Sequence, residues 1–113
     1  MSGDERAALA ASPDRDWQSR RVVIVNRRGL HARAAAQFVK LAQRFAAEIE
    51  VIAKGNRVSG LSIMGLLMLS AGPGTEIDIF ARGRDQAAAL EALAQLVAGG
   101  FDEDVEPETA SPG

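Results

Sequence analysis

The sequence predicts an α+β fold, a two-layer open-faced sandwich in which a four-stranded antiparallel sheet is covered on one face by three helices. Three observations carry that prediction. Residues 48–53 alternate polar with apolar side chains over their first four positions and 76–81 alternate again, as strands do when one face is wet. Residues 32–46 and the segment after Asp85 repeat apolar residues at three- and four-residue intervals, the spacing of a helix with one buried face. The turn formers Asn26-Arg-Arg-Gly29, Lys54-Gly-Asn56 and Gly72-Pro-Gly74 punctuate them. The resulting order, β-α-β-β-α-β-α, collects the helices on the sheet's dry side.

The β-branched run at residues 21–25 reads as the first strand. In the helix predicted over 32–46, Ala35, Phe38, Val39, Ala42 and Phe45 share the buried face. Ile49, Val51 and Ala53 point inward from the second strand, and residues 57–60 return as the third. Ser62 stands as N-cap before a short helix over 63–69. Ile77, Ile79 and Ala81 face the core from the last strand. Asp85 is expected to cap a third helix lined by Leu90, Leu93, Ala94 and Val97, which Gly99-Gly100 stops. The domain is expected to run over 20–101, between a disordered extension at 1–19 and an acidic disordered tail at 102–113.

Composition excludes several classes of function. A chain of 113 residues that is 47% hydrophobic can bury a core of its own. It holds no Cys, one His and no Tyr, so a thiolate metal site cannot be assembled, and around the single imidazole no Ser/His/Asp or metal-ligand set is expected, nor any metal or cofactor. No Walker-type glycine loop is present. The formal net charge of −2 argues against a nucleic-acid partner, but it is unevenly spread. Residues 21–100 hold ten basic and six acidic side chains, whereas 101–113 hold five acidic and no basic ones. The longest apolar stretch, 63–69, is far short of the roughly 20 residues that span a bilayer, and no signal peptide is evident. A monomer in the cytoplasm, without membrane insertion, is the expectation.

Chemistry concentrates at Gly29-Leu-His31-Ala-Arg33, where the first strand enters the first helix. If Ala32 opens the helix, His31 is its N-cap, a position that Ser, Thr, Asp or Asn usually fills. A neutral imidazole caps poorly, so the backbone N–H groups of Ala32, Arg33 and Ala34 and the positive helix end are expected to form an anion site beside the ring. Arg33 adds a fixed charge. Both features disfavour a second positive charge on the ring, which leaves it neutral and nucleophilic. A phosphoryl group on that imidazole would land among donors able to hold it.

The motif Gly29-Leu-His-Ala-Arg33 resembles the active-site motif of the HPr family, histidine-containing phosphocarriers of the bacterial phosphotransferase system, and Ser62-Ile-Met-Gly65 resembles that family's second signature. The resemblance spans about residues 21–97 and includes the order of elements. It implies that His31 is phosphorylated on Nδ1 by phosphorylated enzyme I and passes the group to an enzyme IIA domain, with Arg33 helping to hold the phosphate. The protein would then be a stoichiometric relay rather than a self-contained enzyme. It also implies that Ser62 is the serine modified by HPr kinase/phosphorylase, and that Met64 and Leu67, ringed by Arg28, Arg33 and Lys40, dock partners. The family usually has Pro after the motif arginine, where this chain has Ala34. Two rival readings are a regulatory or nitrogen-branch paralogue, which changes the recipient, and a small RNA- or ligand-binding module. The scarcity of aromatics, four Phe and one Trp, argues against the second.

Overall fold

The computed structural model describes residues 16–103. Its elements are β1 (Gln18–Val23), α1 (Ala32–Ala42), β2 (Glu48–Ala53), β3 (Asn56–Ser59), α2 (Ile63–Met68), β4 (Glu76–Arg82) and α3 (Gln86–Ala98), closed by a short turn at Gly100–Asp102. The sheet is antiparallel with spatial order β1-β4-β2-β3, so the longest strand, β4, is interior and pairs with both β1 and β2. The element order and the two-layer, helix-on-sheet architecture are those expected from the sequence.

Inward positions follow the predicted alternation. Ile49, Val51 and Ala53 from β2 and Ile77, Ile79 and Ala81 from β4 are buried under the helices. Helix α1 contributes Ala34, Ala35, Phe38, Val39 and Ala42, and α3 contributes Ala89, Leu90, Leu93, Ala94 and Val97. The opposite face of the sheet is wet and bears ion pairs, Arg21 with Asp78 at 2.9 Å, Arg82 with Glu48 at 2.6 Å and Arg57 with Glu50. Such exposed pairs contribute little to stability and mainly keep that face soluble.

Several boundaries differ from the sequence reading. Strand β1 starts at Gln18 rather than 21, because it pairs along the whole length of β4 from Ala81 to Glu76 and its register is set by that partner rather than by its own apolar content. Helix α1 stops at Ala42, four residues early. Gln43 is its C-cap, and Arg44 N and Phe45 N bond back to Leu41 O and Ala42 O in a tightening last turn. Asp85 occupies the N-cap position of α3 but does not cap it; its carboxylate accepts from Ala46 N at 2.8 Å and ties the helix start to the loop before β2. The expected disordered ends lie outside the described residues except at their inner edges. There, Gln18 and Ser19 belong to β1, and Asp102 and Glu103 close on the body of the domain.

That last correction rests on an unusual turn. Gly100, Phe101 and Asp102 all have positive φ, 70°, 57° and 58°, so the chain winds left-handed for three residues after α3. For non-glycine residues this costs on the order of 1–3 kcal/mol each. Phe101 offsets part of it by burying its ring to 1% exposure in the core, which is worth roughly 1.5–3 kcal/mol. The turn thereby throws Glu103 back toward the start of α1.

Candidate functional site

Three loops converge at the N-terminus of α1. The segment leaving β1 is stitched to the loop before β4 by Ile24 N to Thr75 O (2.9 Å), Gly74 N to Ile24 O (2.7 Å) and Leu30 N to Ala71 O (2.9 Å). Gly29 makes this approach possible. Its φ is +68°, and a Cβ there would stand 2.5 Å from Ala71 O. The backbone is therefore fixed on both sides of residue 30, and His31 enters α1 with little positional freedom.

His31 is the N-cap of α1, as its position in the motif implied. The ring does not leave the helix amides waiting. Its Nδ1 accepts from Arg33 N at 3.2 Å, so the imidazole serves as its own, rather long, capping bond. A backbone N–H can only donate, which makes Nδ1 the lone-pair nitrogen and places the ring hydrogen on Nε2. That hydrogen meets Glu103: Nε2 and Oε2 are 2.5 Å apart, and both side chains are only 14% exposed. The other carboxylate oxygen accepts from Asn26 Nδ2 at 3.1 Å, and the same amide donates to Gly29 O at 2.8 Å. Asn26 is fully buried, the one buried polar side chain among the described residues. The ring is thus neither sunk in hydrocarbon nor bare, as the open anion site would have it. Its Nε2 edge is covered by a carboxylate.

The remaining predicted residues fall around this point. Arg28 and Arg33 are exposed and, together with Gln37, Phe101, Asp102 and Glu103, line an open cleft of about 320 Å³. Neither guanidinium makes an ion pair among the described residues. A second groove brings Ile63 of α2 alongside Arg33 and Lys40 of α1. Ser62 caps α2 through Gly65 N at 2.9 Å. On α2, Met64 and Met68 are 69% and 74% exposed and Leu66 is fully buried, while Leu67 is only half-exposed and packs against the core. Ile63, Met64 and Met68, and not Leu67, are thus the outward apolar side chains of α2. Sequence reasoning missed Glu103 and Asn26. The signals available were the five acidic residues that follow a basic body, and an apolar Phe101 set just beyond a helix stop.

An open-faced sandwich carrying a histidine at the N-terminus of its first helix, flanked by arginines, is the arrangement that the motif at residues 29–33 leads one to expect of a phosphocarrier. Residues 18–99 match the family model described as "PTS HPr component phosphorylation site". The phosphocarrier protein HPr of Neisseria meningitidis serogroup B is 45% identical over 82 residues, 73% of this chain and 92% of that protein. The phosphocarrier protein NPr of Shewanella violacea is likewise 45% identical, over 74% of this chain and 92% of that protein. Among solved structures, an HPr from Thermoanaerobacter tengcongensis superposes with a TM-score of 0.73 at 36% identity, covering 76% of this chain and 97% of that one. The HPr of Bacillus anthracis gives 0.69 at 43% identity, covering 72% and 96%. The chain belongs to the HPr family of phosphocarrier proteins. That membership displaces the RNA- or ligand-binding alternative. Among the described residues, no helix is long and apolar enough to cross a membrane.

Proposed function

We propose that this chain accepts a phosphoryl group on His31 Nδ1 from phosphorylated enzyme I and delivers it to an enzyme IIA domain. The observation that carries the proposal is the orientation of the ring, with Nδ1 directed at the start of α1 and its lone pair marked by the Arg33 N–H. Attack of that lone pair on the donor's phosphorus forms the new N–P bond as the old one breaks, and the bonding pair returns to the donor nitrogen. The Arg33 N–H then moves from Nδ1 to a phosphoryl oxygen. The N–H groups of Ala32 and Ala34 and the positive helix end add further stabilisation, and the Arg33 guanidinium balances the anionic charge. His31 is the covalent carrier in this scheme, and Arg33 the residue that steadies its load.

Docking would use the exposed apolar side chains of α2, Ile63, Met64 and Met68, bordered by Arg28, Arg33 and Lys40. Basic residues around a small apolar patch steer encounters with acidic partner surfaces and let them separate quickly, as relay chemistry requires. Ser62 lies at the edge of this patch; phosphate on its Oγ would place negative charge beside it and weaken docking to an acidic partner. Such a cycle would run in the cytoplasm, on a monomer.

The test is incubation with phosphoenolpyruvate and enzyme I. Acid-labile, base-stable phosphate should appear on the protein and be absent from His31→Ala; equal labelling of both would end the assignment. Similarity of 45% both to a protein named HPr and to one named NPr fits either of two alternative recipients, one of sugar transport or one of a regulatory or nitrogen branch. Transfer from the labelled protein to enzyme IIA domains of each kind tells them apart.

A further inference from the structure

Nothing in the proposed chemistry calls for a carboxylate, yet Glu103 is held against His31 by a device built for that purpose. Three successive left-handed residues turn the chain, Phe101 anchors the turn in the core, and Glu103 arrives with both oxygens occupied, one on the imidazole and one on Asn26. Asn26 is itself fully buried, and its Nδ2 serves Gly29 O and Glu103 together while its Oδ1 has no partner among the described residues. A buried amide left half-satisfied is costly unless its orientation is needed, and here the orientation aims both available contacts at the histidine loop and the carboxylate.

We infer that Glu103, steadied by Asn26, is a positioning residue for His31: it holds the hydrogen on Nε2, keeps the lone pair on Nδ1, and offsets the positive charge that develops on the ring during transfer. The inference rests on the proposed phosphorylation of Nδ1. When Nδ1 of an imidazole bearing Nε2–H attacks phosphorus, its lone pair becomes the new N–P bond, the old bonding pair returns to the donor nitrogen, and the product is an N-phosphoryl imidazolium with its proton still on Nε2. No proton has to move. A carboxylate at Nε2 stabilises that cation, and it does so more as charge builds, so it favours the transition state and the phosphorylated product over the resting ring. Glu103 approaches the edge of the ring that carries Nε2, whereas the incoming phosphoryl group approaches Nδ1, and Arg28 and Arg33 line the cleft beside Glu103.

The opposite role, a latch that shuts the site, makes the opposite prediction. The experiment compares full-length protein with Glu103→Gln and Glu103→Ala. Because the chain has a single histidine, ring ¹⁵N chemical shifts report its tautomer without ambiguity. The wild-type ring should be overwhelmingly in the Nε2–H form, and both variants should shift toward a mixture. In single-turnover labelling by phosphorylated enzyme I, the maximal rate should fall roughly 10- to 100-fold while the enzyme I concentration giving half the maximal rate is unchanged. A merely structural role would move neither the tautomer nor this split. Unchanged tautomer and rate in Glu103→Gln, or faster labelling in either variant, would overturn the inference. If the wild type took no label at all, the proposed function would fail instead, and the ring spectra would still decide whether Glu103 sets the tautomer.

Discussion

Helices α1 and α2 both open on a side chain that accepts from the helix's own backbone, but with different completeness. At α2, the Ser62 hydroxyl reaches Gly65 N, three residues on, at 2.9 Å. At α1, the imidazole of His31 reaches only Arg33 N, two residues on, at 3.2 Å, and its far nitrogen requires a carboxylate from the other end of the chain. A small hydroxyl satisfies a helix start and leaves nothing to do. A ring that satisfies it loosely can exchange its own bond for a better acceptor, and a phosphoryl oxygen is one. The residue proposed to react is therefore the poorer cap, and the α1 start has support that the α2 start does not.

The largest effect that could break this contrast is at His31 itself. His31→Ala should abolish phosphoryl acceptance while costing about 1–2 kcal/mol of stability, since it removes a weak cap and the bond to Glu103, whose carboxylate keeps Asn26 and can turn to water. Labelling with phosphoenolpyruvate and enzyme I, beside urea denaturation, checks both halves. A stability loss well beyond that of Ser62→Ala would mean that His31 is chiefly a structural residue. Next comes Phe101→Ala, expected to cost about 3 kcal/mol as a fully buried aromatic is truncated. It should also release Glu103, so the His31 ring resonances should move toward those of a solvated imidazole while the Gly65 amide stays in place. If both helix starts responded alike, the support would not be specific to α1. Ser62→Ala is smaller, about 1 kcal/mol of stability, with phosphoryl acceptance unchanged; Ser62→Asp, which keeps a capping oxygen, should recover most of it.

The sequence made one of these helix starts legible in full and the other by half. Ser62 could be read because its partner, Gly65, is three residues away, and local spacing determines such a cap. The position of His31 could be read for the same reason, and so could the alternation in β2 and β4 that buries Ile49, Val51, Ile77 and Ile79. Glu103 could not. It lies 72 residues from His31 and reaches it through a left-handed turn that Gly100 opens but that continues through Phe101 and Asp102, residue types that do not announce the conformation. Asp85 shows the same limit, since its cap-like position was visible but its true partner, Ala46 N, sits 39 residues back across the fold. The start of β1 at Gln18 was also hidden, because polar residues there are strand only by virtue of the β4 residues they pair with.

The finest test of the contrast is Ala34→Pro, which restores the residue usual at this place in the family. Ala34 is the third residue of α1, and its N–H is one of the four that no helix carbonyl can reach. Proline there sacrifices no intrahelical bond. Restricting the unfolded chain should stabilise by about 0.4–1 kcal/mol, opposed by crowding against Arg33, whose helical backbone a following proline disfavours. As these two terms oppose one another, the net change should stay below about 1 kcal/mol, a shift in Tm of less than about 8 °C. The chemical consequence is more telling. The variant has one fewer amide for an anion at α1 but keeps His31, the Arg33 N–H and Glu103, so labelling should slow by less than in Glu103→Gln. Were Ala34→Pro to slow it as deeply, the number of free amides, and not the carboxylate behind the ring, would be what sets the start of α1 apart from that of α2.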